Sequence, residues 1–283
     1  WRKCCVINIF DEMLAAYECK TIEDKLNAIR EVMQQVALSG LAKGGFFDKA
    51  AFYGGTCLRI FHGLKRFSED MDFSLLESTP DFDFRPYFNC IEEEFAAAGQ
   101  KVNITLKKKT KITPIQSAFL KSDTALFNLS LERGRVINIK LEVDTTPPLD
   151  FVTEDKLLLL PRSFYVRCFT LPCLFAGKMH ALLFRSWKNR VKGRDWYDFE
   201  WYVRKGIALD FPHFCRRAYQ FASVPEGSLT MEKFQQLLLD KIRQIRFSSA
   251  IDDVRPFIRE LDSLQLWSAN YFEQVSRLMR IQD

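Results

Sequence analysis

The sequence predicts an α+β fold: a mixed sheet with flanking helices in the N-terminal half, then an all-α C-terminal domain. Three observations carry this. Residues 6–18 and 21–41 place apolar side chains at helical spacing. The stretches MDFSLL, KVNITLKKK, TALFNLSLE and VINIKLEVDT are strand-like, and three of them alternate. Beyond Pro161 the pattern turns helical and largely stays so to the end. The boundary falls near residue 155, dividing the chain into 1–155 and 156–283.

In chain order, the two leading helices come first. Thr21-x-x-Asp24 reads as a capping box with Asp in place of Glu. Gly40 and the Gly44-Gly45 pair end the second helix. KAAFYGG is a short strand or helix end running into a glycine turn, and TCLRIFHGL is a short helix with Thr56 near its N-cap. MDFSLL is a strand, Pro80 to Asp83 a turn, and Pro86 to Ala98 a helix ending at Gly99. TALFNLSLE and VINIKLEVDT, joined at Arg133-Gly134, form an antiparallel hairpin, and the Thr145–Pro148 stretch ends the sheet. LPCLFAGKMHALLFRSWK opens with Pro172 near a helix start, and GRDWYDFEWYVRKG makes the next helix. Breaks fall near Gly206, Pro212, Pro225 and Pro256.

Composition narrows the class. The chain has 283 residues, 47% of them hydrophobic, enough for one large domain or two modest ones. The 26 phenylalanines forecast an aromatic core. A net charge of +5 permits a nucleic-acid partner without demanding one. Basic residues cluster at Lys107, Lys108, Lys109 and Lys111, and again at Arg185, Lys188, Arg190, Lys192 and Arg194. The 8 cysteines include the adjacent Cys4 and Cys5 but no C-x-x-C pair, so reduced thiols and a cytoplasmic location are expected. His62, His180 and His213 stand apart, which argues against zinc. No apolar run approaches the roughly 20 residues that cross a bilayer. The opening Trp1 leaves room for residues ahead of it.

The chemistry concentrates in YGGTCLRIFHGLKRFSEDMDFSLLE, Tyr53 to Glu77. Gly54-Gly55 before a helix lets backbone N–H groups approach a phosphate, or simply makes a tight turn. Asp70 and Asp72, at i and i+2 on a strand, point to one side and repel unless water or a cation lies between them. Hard oxygen ligands of this kind suit Mg²⁺, which takes one or two carboxylates together with substrate phosphates. Glu142 and Asp144 repeat the spacing on another strand, and either completes a metal site if the two strands are neighbours. Arg66 adds positive charge or pairs with Glu69. Lys178, Asp195 and Asp198 fall in the two helical stretches after Pro161 and read as a phosphate contact or as solvated surface.

Together, GGTCLR, GLKRFSEDMDF, KLEVDTTPP, and GKMHALLFR with RDWYDF resemble the AbiEii/AbiGii toxin family of the DNA polymerase β-type nucleotidyltransferase superfamily, over about residues 40 to 205. The resemblance implies a nucleotidyltransferase-like fold and transfer of a nucleoside monophosphate from an NTP, with Mg²⁺ (or Mn²⁺) as cofactor. It implies that Gly54, Gly55 and Ser68 cradle phosphate. It gives Asp70 and Asp72 to the metal, with Asp144, or else Glu142, as third carboxylate, and adds Lys178 and Asp195 to the active site. Where the superfamily has G-S this chain has G-G, so serine's role passes to Thr56 or Ser68. Arg66 joins the phosphate-binding set. The resemblance implies the toxin of a toxin–antitoxin pair, an RNA acceptor such as the tRNA 3′ end, and an antitoxin that need not touch the toxin. Transfer to a protein or small molecule, or nucleotide or RNA binding without catalysis, are the alternatives.

Overall fold

The computed structural model describes residues 8–106, 124–132, 136–185, 191–222 and 224–282. The Lys107–Lys111 run, the Arg133-Gly134 turn, Lys188, Arg190, Cys4 and Cys5 lie outside the described residues.

Two helices lead, α1 (Ile9–Ala15) and α2 (Ile22–Lys43). Thr21 and Asp24 form the expected capping box, each side chain accepting the other's backbone N–H, and Gly44 is the C-cap. Helix α2 is long because an apolar stripe buries along its length: Val32, Met33, Val36, Ala37 and Leu41 are solvent-free. It packs against α4 (Phe88–Ala97) and the sheet. Phe46, in the 3₁₀ turn after α2, stands within 5.0–5.4 Å of the rings of Phe73, Phe84 and Tyr87, a core of the aromatic kind the composition forecast.

The sheet has seven strands: β1 (Ala50–Tyr53), β2 (Asp70–Leu75), β3 (Val102–Leu106), β4 (Thr124–Glu132), β5 (Val136–Asp144), β6 (Thr153–Leu158) and β7 (Phe164–Phe169). Their spatial order is β3-β4-β5-β2-β1-β7-β6. Strands β4 and β5 are the expected antiparallel hairpin, β2 runs parallel to β5 and antiparallel to β1, and β1 runs parallel to β7. The sheet is therefore mixed. Helix α3 (Gly54–His62) links β1 to β2 across its face.

The sheet also extends further than expected. The boundary near residue 155 falls inside β6, and β7 follows Pro161. The signal was in the chain: Phe164, Val166 and Cys168 are buried while Tyr165 faces solvent, the period-two pattern of a strand with one covered face. From residue 171 onward the chain is chiefly helical, with α5 (Leu171–Phe184), α6 (Gly193–Arg204), α7 (Phe211–Phe221), α8 (Met231–Gln244), α9 (Phe247–Val254) and α10 (Ala269–Arg277). The short strands β8 (Ala208–Asp210) and β9 (Arg280–Gln282) pair in parallel and tie the end of the chain to the α6–α7 junction.

Helix α6 is held from behind by rings. Trp196 meets Phe247 at 5.6 Å and Phe272 at 5.1 Å, and Phe247 and Phe272 stack at 5.0 Å. Its first residue, Gly193, lies so close to α9 that an added Cβ would sit 1.8 Å from the Ala250 carbonyl oxygen. Gly193→Ala is therefore expected to cost about 1–3 kcal/mol in denaturant unfolding, the usual penalty of forced overpacking. It should also disturb Asp195 two residues on, so nucleotide binding should fall more than global stability alone explains.

Candidate active site

The floor of the site is the first half of β2 and the strand beside it. The parallel register sets Asp70 beside Lys140, Asp72 beside Glu142 and Ser74 beside Asp144. Neighbours in register share a face, so all four acids project to one side. Glu142, rather than Asp144, is therefore the acid next to Asp72. Asp144 lies one step along, where it accepts the Thr146 N–H at 3.2 Å.

The electrostatics agree. Burial, then the Glu142 and Asp70 carboxylates, push Asp72 up to about 7. Burial, then Glu142, also raises Asp70. Burial raises Asp144 too, against a lowering pull from Arg217. Lys140 contacts Glu142 directly and offsets part of the acidic charge. Among the described residues no three His, Cys, Asp or Glu side chains are grouped to hold a metal ion by themselves. The donor set fits Mg²⁺ bound together with a nucleotide: paired carboxylates raised first by burial and then by mutual repulsion, with the remaining coordination positions left to substrate phosphates.

The glycine turn explains itself against this floor. Gly54 has φ +83°, and a Cβ there would lie 2.3 Å from Asp72 Oδ2. A Cβ on Gly55 would lie 2.5 Å from Arg66 Nη2 and 3.0 Å from Ser68 Oγ. Only glycines let α3 begin so close to the carboxylate and the guanidinium, leaving the first-turn N–H groups of the helix at the edge of the site. Thr56 departs from expectation. The N-cap is Tyr53, and the solvent-free Thr56 hydroxyl donates to the Asp70 carbonyl oxygen, so it braces β2 rather than facing a phosphate. Ser68 stays beside Gly55.

The segment between α3 and β2 is stapled throughout. Arg59 Nη1 donates to the carbonyls of Leu64 (3.1 Å) and Lys65 (2.9 Å), and the Phe67 N–H donates to Phe257 O at 2.8 Å. The buried Gln34 amide donates to the carbonyls of Ser68 (3.0 Å) and Glu69 (3.2 Å). Arg66 makes the strongest of these ties. Its Nε and Nη2 donate to the two oxygens of Asp198 at 2.5 and 2.6 Å. Arg66 thus pairs with Asp198, while Glu69 is taken by Arg194 at 3.1 Å.

The helical half supplies the other wall. Lys178 Nζ lies 2.7 Å from both Asp195 and Asp198. Neither acid is the surface residue that the charged sequence around them suggested: Asp198 is fully buried and Asp195 nearly so. Burial would raise the Asp195 carboxyl, but Lys178, then Lys192 and Arg185, hold it down at about 2. Burial would lower Lys178, and Asp195 and Asp198 more than reverse that. Lys192 is depressed by burial and by Arg185, Lys178 and Arg194, with Asp195 opposing. Asp72 feels Arg185 and Lys192 across the gap. Acids on the sheet thus face cations on the helices, the charge layout that a metal-bound polyphosphate fills. Sequence reasoning missed Tyr53, Gln34 and Arg217. Each sits on an element whose neighbours only the fold reveals.

Comparison with known proteins bears on the family and the fold. The family model described as "Nucleotidyl transferase AbiEii toxin, Type IV TA system" matches residues 36–274. Among solved structures, MenT4, a nucleotidyltransferase toxin from Mycobacterium tuberculosis H37Rv, superposes with a TM-score of 0.59 at 15% identity, covering 95% of this chain and 87% of that one. JHP933 from Helicobacter pylori superposes with a TM-score of 0.51 at 16% identity, covering 89% and 90%. At these identities the likeness is one of fold. No curated protein matches the sequence.

Two outcomes follow. Asp198→Ala leaves Arg66 and Lys178 without a shared counter-ion and should cost about 3–5 kcal/mol in urea unfolding. Asp72→Asn should have the opposite sign. Its folded-state pKa lies above its unfolded one, so the folded protein pays to ionise it as pH rises through about 7. In EDTA, the variant should gain about 2 °C or more in Tm at pH 8, the shift that about 1 kcal/mol gives, and little at pH 4.5.

Proposed function

This chain belongs to the AbiEii nucleotidyl transferase toxin family, and we propose that it is a Mg²⁺-dependent enzyme that transfers a nucleoside monophosphate from an NTP to an RNA acceptor, the tRNA 3′ end being the expected one. A cognate antitoxin follows from the family. No helix among the described residues is long and apolar enough to cross a membrane. The observation that carries the reading is the chain of contacts from the acidic floor to Lys178: Asp72 Oδ2 packs against the Gly54 turn, Arg66 Nη2 fills the space beside Gly55, and Arg66 and Lys178 share Asp198. A carboxylate, a helix N-terminus and a half-buried lysine are thus tied together through one arginine.

In the proposed reaction the acceptor hydroxyl oxygen bonds to the α-phosphorus. The bond from that phosphorus to the β-phosphate bridging oxygen breaks, and pyrophosphate leaves. Asp70 and Asp72 would hold Mg²⁺, with Glu142 completing the set because the register places it beside Asp72. When bound, the cation neutralises developing charge on the phosphates and lowers the pKa of the attacking hydroxyl. Asp144, more basic than an ordinary carboxylate, would take the hydroxyl proton. Lys178 has three N–H donors, two of them directed at Asp195 and Asp198, and the third is left for a β- or γ-phosphate oxygen. Gly54, Gly55 and Ser68 would cradle the phosphates from the α3 side.

The test is incubation with Mg²⁺, total tRNA and each of the four labelled NTPs in turn, beside Asp70→Ala and Asp72→Ala. Label should enter tRNA from one NTP, and each variant should lose at least about a thousandfold, the scale of removing a principal charge-stabilising group. Label found only on protein would move the acceptor. Undiminished transfer by both variants would overturn the reading.

A further inference from the structure

We infer that Arg217 is the anchor for the terminal phosphates of the bound nucleoside triphosphate, a role that rests on the nucleotidyl-transfer reading of the site. Arg217 projects from α7 and is only 8% exposed. Its Nε is buried without a partner. A guanidinium is always charged and carries five donors, so burying it unpaired is expensive. Nearby, Arg66 and Lys178 each have carboxylates within contact distance. Among the described residues, Arg217 is buried with no carboxylate in an ion pair with it.

Its surroundings show what is missing. The Phe221 ring lies 5.6 Å away. His180 and His213 lie in its field, both pushed down by burial and then by the Arg217 charge, and an imidazole carries no negative charge to offset it. It opposes the burial that raises the Asp144 carboxyl, and acts on the Tyr53 phenol as well. Its Nε lies 3.9 Å from where a Cβ on Gly177 would stand, so it crosses α5 at the residue before Lys178. The position is fixed from α7. Gln220, one turn beyond Arg217, donates to the Thr146 carbonyl at 2.7 Å, and the Thr146 N–H binds Asp144.

A cation this enclosed is reached by a compact anionic end, not by the backbone of a polymer. The tail of an NTP is such an end, and a guanidinium suits it because paired N–H groups match two phosphate oxygens. Lys178 and Arg217 would then grip the leaving pyrophosphate from adjacent points of α5 and α7. The nucleoside and α-phosphate would stay with the sheet.

Calorimetry with Mg²⁺ tests this on wild type, Arg217→Gln and Arg217→Lys, using each NTP, the matching NMP and inorganic tripolyphosphate. Arg217→Gln should weaken the preferred NTP and tripolyphosphate by roughly tenfold or more, the worth of a charged hydrogen bond, with Arg217→Lys recovering part. NMP affinity should not change, and the Tm of Arg217→Gln should equal or exceed wild type, since an uncompensated buried charge has been removed. NTP affinity within about twofold of wild type overturns the inference, as does an equal loss for NMP, which marks a structural role. Should wild type bind tripolyphosphate through Arg217 yet transfer no nucleotide, the inference stands and the transfer reading fails. Should wild type bind neither NTP nor tripolyphosphate, the inference fails.

Discussion

The Arg66–Asp198 ion pair joins the two halves of the molecule at the point where the site forms. Arg66 precedes β2 by a few residues, Asp198 lies on α6, and the two side chains are almost free of solvent. A buried pair of this kind gives little stability over a hydrophobic replacement, but it is demanding about geometry, because either charge alone is costly. Lys178 shares Asp198 and adds Asp195, so a loop and two helices converge on one compact charge network. The consequences reach outward. Gly55 has no room for a side chain because Arg66 Nη2 fills it, and the segment that delivers Ser68, Asp70 and Asp72 is held in one path.

Around that network, charge is separated by element. Strands β2 and β5 contribute Asp70, Asp72, Glu142 and Asp144, and Lys140 on β5 offsets part of that charge. The helices and their flanks contribute Lys178, Arg185, Lys192, Arg194 and Arg217. Burial first and like charges second raise the carboxyls of Asp70 and Asp72 and depress the ammonium of Lys192. Lys178 and Arg194 have carboxylate partners of their own, Asp195 with Asp198 and Glu69, while the carboxylates of the floor stand side by side, the arrangement that a polyphosphate with its divalent cation would balance. Preorganisation of this sort is what phosphoryl transfer asks of a protein, since the chemistry is positioning and charge neutralisation more than covalent assistance.

Much of this was legible in the chain where local physics decides. The capping box at Thr21, the strand at MDFSLL and the β4–β5 hairpin follow from side-chain hydrogen bonding and period-two burial, which act over a few residues. The Asp70/Asp72 pair and the glycine turn were legible as a constellation for the same reason. Three features were not, because each depends on pairing across distance. The choice between Glu142 and Asp144 is a matter of β2–β5 register, invisible until the strands are laid side by side. Arg66 was weighed against its sequence neighbour Glu69, but its partner came from α6. Strands β6 and β7 were hidden by Pro161 and the leucine run before it, although Phe164, Val166 and Cys168 carried the alternation.

The most direct test of the central claim is an anomalous-scattering crystal structure of the protein soaked with Mn²⁺ and a non-hydrolysable NTP analogue. The account predicts a Mn²⁺ peak coordinated by the Asp70 and Asp72 carboxylates and shared with the phosphates of the analogue. A nucleotide bound elsewhere, or bound here with no metal on those two aspartates, would contradict it.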